Sequence, residues 1–195
     1  GKFTANKYPY SNDYLFLKNF YNLTNTDEFI THINIGHYRP NVCWHYIIKR
    51  NFIFHNKLKF IDAKVGEDQE FVAKLLCLMQ SYVLYPNNFY QHKSRIGSLQ
   101  HSIDLKTTNS ILKIFIELCK FSNTTNLSNE KQKFIHSRIQ YTIGEFSARI
   151  ALHNNKEIFQ LSKHFKKFVS NKFIYESIIS NSDIWFFLKK NYINY

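Results

Sequence analysis

The stretch Gly66-Glu67-Asp68-Gln69-Glu70-Phe71-Val72 sets an acidic pair between a glycine and an apolar run. Acids ahead of hydrophobic residues suit a helix start, where negative charge meets the positive end of the helix dipole. Beyond them Phe71, Leu75, Leu78 and Met79 recur at helical spacing, so residues 66 to 82 read as one helix with one apolar face. Glu70 reads as a capping or surface acid of the first turn. Upstream, Trp44-His45-Tyr46-Ile47-Ile48-Lys49-Arg50-Asn51-Phe52-Ile53 leads into Leu58-Lys59-Phe60. Downstream comes Tyr90-Gln91-His92-Lys93-Ser94-Arg95-Ile96-Gly97-Ser98-Leu99.

Further out, most of the chain reads as helix. Thr24-Asn25-Thr26-Asp27-Glu28 has a helix-start pattern, with Thr24 or Thr26 as the cap, and Gly36 stops the helix after Ile35. The Trp44 segment begins as a loop and continues into a helix or strand. Tyr82-Val83-Leu84-Tyr85 and Phe89 to His92 read as short strands around the Pro86-Asn87-Asn88 turn. Ser110 to Phe121 is an amphipathic helix, and Ser122 to Asn129 a polar linker. A longer helix starts at Ser128-Asn129-Glu130 and runs to about His153, and another covers Lys156 to Ser170.

Composition narrows the class. The 195 residues suffice to bury a core, and the few breakers (5 Gly, 3 Pro) favour helix. The widely separated Cys43, Cys77 and Cys119 form no metal spacing, and their odd number suits a reduced, cytosolic setting. None of the nine histidines falls in a zinc-ligand pattern, and no phosphate-binding glycine loop is present. No run approaches the about 18 apolar residues of a membrane span. No signal-peptide pattern opens the chain, and Gly1 in place of Met reads as the start of a piece. The net charge of +12 calls for an anionic partner. Its cations are scattered, which suits a membrane surface or phosphorylated ligand better than nucleic acid.

The ordered set of Trp44, Phe60, Glu67-Asp68 and Tyr90 to Leu99 resembles the C-terminal half of the catalytic domain of family 2 glycosyltransferases, which have a GT-A fold. The family pattern is a Trp-x-Lys-Leu-Tyr-like segment, then Phe, then Glu-Asp, then Tyr-x-Tyr-x-x-Arg-x-Gly-Ser-Ile. The likeness covers about residues 20 to 103 and takes in Phe29-Ile30 and Tyr38-Arg39-Pro40. His45 and Tyr46 depart from it, standing where the family often has a small polar residue and Lys. The resemblance implies an α+β, predominantly α-helical chain. Residues 1–106 would form the acceptor-side part of a GT-A domain with few short strands, and 107–195 a helical C-terminal bundle.

The implied activity is inverting transfer of a sugar from a nucleotide-sugar donor to a glycan or lipid-linked glycan acceptor. Such a transfer needs one base to take the proton of the attacking hydroxyl. The resemblance gives that role to Asp68, with Glu67 orienting the site. An acidic pair is equally what a stable helix start needs. Arg95 and Ser98, joined by Lys93 and His92, would hold the donor diphosphate, for which a guanidinium fork and hydroxyls are suited. The same loop could simply be a solvated basic one. Trp44 offers a face for a sugar ring, or a piece of core.

The resemblance also implies a divalent ion, Mg or Mn, normally held by an Asp-x-Asp motif. No such motif occurs in these 195 residues, so the metal ligands are expected outside this chain and the chain alone is expected to be inactive. The basic helices after Thr107 are either an ordinary bundle or a peripheral contact with the inner face of the cytoplasmic membrane. The alternative to an enzyme is a non-catalytic basic helical module for anionic glycan, membrane surface or nucleic acid.

Overall fold

The computed structural model describes residues 25–35, 41–83 and 103–154, with 156, 157 and 161. Among them the chain is predominantly helical and contains no strand. The elements are α1 (Thr26–Ile35), a one-turn 3₁₀ helix (Cys43–His45), α2 (Arg50–His55), α3 (Glu67–Leu78), α4 (Leu105–Thr124) and α5 (Asn129–Ile150). The most extensive pairing is α4 on α5, which the short Thr125–Ser128 connection joins; α1 and α3 pack onto that hairpin.

Local chemistry fixes the helix ends. For α1 the cap is Asn25 rather than either neighbouring threonine: its Oδ1 accepts from the Asp27 amide at 3.0 Å. Helix α4 starts five residues earlier than the apolar run from Ser110 suggests. Asp104 Oδ1 accepts from the Thr107 amide at 2.7 Å, and Thr107 Oγ1 accepts from the Asp104 amide at 3.0 Å, which satisfies two otherwise orphaned donors. At α5 the Ser128 side chain accepts from the Lys131 amide. Helix α2 ends in a Schellman closure: Leu58 N–H donates to Ile53 O and Lys57 N–H to Phe54 O. Lys57 takes the left-handed conformation at φ 51°.

One core unites these elements. Helix α4 contributes Ile111, Ile114, Phe115, Leu118 and Cys119, and α5 answers with Phe134, Ile135, Ile139, Ile143 and Phe146. Helix α1 adds Phe29, Ile30 and Ile33. Residues on both sides of position 106 therefore belong to the same core. Helix α3 is buried beyond the single face that its periodicity suggests, since Val72, Ala73, Leu76 and Cys77 join Phe71, Leu75 and Met79 inside. Glu70 is likewise interior, only 2% exposed, and not the surface acid that the sequence suggests. It pairs with Lys74 one turn on, which itself lies over the Phe121 ring. Its second carboxylate oxygen has no hydrogen-bond partner. Burial pushes the Glu70 carboxyl above its ordinary range, against the pull of Lys74.

The expected strand at Tyr82 does not form in its described part. The Tyr82 ring lies against Phe29, 4.4 Å between centroids, and Val83 is exposed, so neither residue joins a ladder. Leu84 and Tyr85 and the second expected strand lie outside the described residues, as does most of the expected helix after Lys156. A polar chain holds the ends of the hairpin together: Thr108 Oγ1 meets His153 Nε2 at 2.8 Å, and His153 Nδ1 meets Glu157 Oε2 at 3.2 Å.

Candidate functional site

Asp68 and Glu67 open helix α3, and the connection before them is tied to α4 at three points. The Lys64 amide donates to Ser110 Oγ at 2.8 Å, Lys64 Nζ pairs with Asp104 at 2.8 Å, and Lys113 Nζ donates to the Asp62 carbonyl at 3.1 Å. Gly66 then caps α3 in the left-handed conformation, at φ 78°. A glycine is required twice over here. Other residues strain at this φ, and a Cβ would stand 2.8 Å from Ile114 Cδ1 and 3.2 Å from Ile111 Cδ1. Within the same first turn, Gln69 Nε2 donates to Glu145 Oε2 at 3.2 Å, and Glu145 is in turn held by Arg149. The first turn of α3 is thus fixed to both helices of the hairpin.

The 3₁₀ turn Cys43–His45 packs on α3. It is anchored from below by Arg138, a buried α5 residue whose Nη1 donates to Asn41 Oδ1 at 2.7 Å. The Arg138 guanidinium also lies over the Phe134 and Tyr141 rings. This brings Cys43 to Asp68. Burial pushes the Cys43 thiol up to about 11; its hydrogen bond to the Asp68 carboxylate and the negative charges of Asp68 and Glu67 push the same way. At neutral pH Cys43 is therefore a thiol that donates to Asp68, not a thiolate nucleophile. Sequence reading treated Cys43 as one of three scattered cysteines. Its position beside Trp44 was the one signal that it shares this place.

Asp68, Glu67 and Trp44 are all half-buried, neither core nor fully solvated. The Trp44 ring stands edge-on to His45, 6.3 Å between centroids, and is not part of the apolar core. Two of the sequence-predicted pieces therefore meet: the tryptophan segment and the acidic pair. The diphosphate set of His92, Lys93, Arg95 and Ser98 lies outside the described residues. Among the described residues no group of three or more His, Cys, Asp or Glu could hold a metal ion. A carboxylate at a helix start, backed by two packed helices and beside the turn that carries Trp44, can accept a proton from a bound hydroxyl.

No disulfide joins Cys43, Cys77 and Cys119. No helix among the described residues is long and apolar enough to cross a membrane. No protein-family model matches the chain, and no curated protein and no solved structure matches it either.

Proposed function

We propose that this chain is the acceptor-side part of an inverting, nucleotide-sugar-dependent glycosyltransferase, in which Asp68 is the general base. The observation that supports the reading most is the meeting of the Cys43–His45 turn, which carries Trp44, with the Glu67–Asp68 start of α3. The two pieces are far apart in sequence, and inverting transfer needs both: an apolar face to seat the acceptor ring and one carboxylate to deprotonate its hydroxyl. In this reading the proton leaves the acceptor oxygen for Asp68 as that oxygen bonds to the anomeric carbon, and the nucleoside diphosphate departs with the electron pair of the broken bond. Glu67 orients the site. Arg95, Ser98, Lys93 and His92 steady the departing diphosphate. A divalent Mg or Mn would supply further charge compensation there, from ligands beyond these residues.

Asp68 does not stand empty-handed: the Cys43 thiol already donates to it. The test is Asp68→Asn in the full-length polypeptide, assayed by release of nucleoside diphosphate from a panel of nucleotide sugars with glycan acceptors. Loss of about 10²–10⁴-fold in transfer, with helicity and melting temperature kept, is expected. Transfer that survives the substitution removes Asp68 from the role.

A further inference from the structure

The segment from Ile47 to Phe60 has a surface unlike the rest of the described chain. It carries Lys49, Arg50, Lys57 and Lys59, all exposed, and His55 beside them, with no acidic residue before Asp62. Among these cations stand three large apolar side chains turned to solvent: Ile47 at 77% exposure, Phe54 at 65% and Phe60 at 51%. Half of the molecule's six exposed large hydrophobic residues among those described thus fall in this one short stretch.

The fold explains why they point outward. Helix α2 packs Phe52 and Ile53 against the core, so Arg50, Asn51, Phe54 and His55 take the opposite arc. The Arg50 guanidinium lies over the Phe54 ring, 5.2 Å from its centroid, so charge and apolar surface share one face. Phe60 has one ring face stacked on Phe71, 4.3 Å between centroids, and the remainder exposed. The Lys57 reversal turns the chain so that Lys57 and Lys59 follow directly on the helix. In the neighbouring groove the carboxylates Glu70 and Glu117 are held by Lys74 and Lys120, so they do not neutralise these cations.

We propose that residues 47–60 dock the protein on the surface of an anionic lipid bilayer. The cations match the headgroup charge, and Ile47, Phe54 and Phe60 enter the boundary between headgroups and acyl chains. Exposed aromatic residues ringed by lysine and arginine fit that boundary because it offers apolar depth and negative charge at one level. The inference places the membrane contact on α2 and its flanks, not on the helices after Thr107, whose described apolar faces pack together as core. It stands independently of the sugar-transfer reading.

The test is co-sedimentation of the whole 195-residue chain with vesicles of phosphatidylcholine alone or mixed with phosphatidylglycerol. Binding to the mixed vesicles, weakened by salt and absent from the neutral ones, is expected. Lys49→Glu and Arg50→Glu should each weaken it at least about fivefold, the worth of one cation near such a surface. The same charge change at Lys120 or Lys133, exposed on α4 and α5, should weaken it far less. Phe54→Ser should weaken binding with melting temperature unchanged, and Phe54→Trp should give blue-shifted emission on mixed vesicles. Equal losses at all four cations would overturn the assignment to this face. So would absence of vesicle binding, tight binding to nucleic acid in its place, or self-association that buries Phe54. Asp68→Asn should leave vesicle binding intact, so failure of one proposal does not carry the other with it.

Discussion

At the scale of single residues, Gly66 decides where Asp68 stands. The start of α3 sits so close to α4 that the space for a Cβ is taken by Ile111 and Ile114. Gly66→Ala should therefore destabilise the chain by about 1–3 kcal/mol, from the positive φ and the clash together. Urea unfolding with an unchanged m-value is the measurement; an unchanged midpoint would show that the helix start can shift freely. The helix start at Gly66-Glu67-Asp68 could be picked out from sequence because a glycine and two acids ahead of an apolar run suit one. Cys43 could not, because its importance comes from Arg138 drawing Asn41 and the following turn onto α5, a contact across nearly a hundred positions. Glu70 was misread for a related reason. A lone acid beside a lysine one turn on fits a solvated face as well as a buried pair, and only the packing of Phe121 and Phe71 nearby separates the two.

At the scale of elements, the helices follow from apolar spacing, while their ends follow from a few polar atoms. Four of the helical stretches read from sequence reappear close to their expected positions, since Ile, Leu and Phe at helical spacing have no competing arrangement in a chain with so few breakers. The early start of α4 was missed because its first turn, Leu105 to Thr108, is mostly polar, and its signal is the side-chain exchange between Asp104 and Thr107. Asp104 also pairs with Lys64 and so joins the approach to α3 to the cap of α4. Asp104→Ala should cost about 1 kcal/mol or somewhat more, the usual worth of a cap plus a half-exposed ion pair. Thermal melting compared with Asp104→Asn separates the two parts, since asparagine keeps the cap and loses the charge. If both variants melt like the parent, the cap carries no stability.

At the scale of the whole molecule, tertiary pairing was beyond what spacing reveals, because every helix here carries enough apolar surface to suit several partners. The observed core also makes stability fall in alkali. Burial raises Cys43 to about 11 and Cys77 to about 12 from an ordinary 9.0, and raises the Tyr82 phenol too. Folded values above unfolded ones mean that this stability is whole below about pH 9 and is lost as the pH climbs through 11 and 12. Urea midpoints should drop between about pH 8 and about pH 10.5, and Cys77→Ala should make the drop shallower; a level profile would contradict the burial of these groups. Helix α2 lies outside this reckoning. It has no fully buried residue, whereas α4 is sealed along most of its length. Opening free energies therefore differ widely within one chain: the amides of α4 meet solvent only when everything comes apart, and those of α2 can do so alone. The part of the molecule that carries Phe54 should therefore rearrange more readily than the part that holds Asp68.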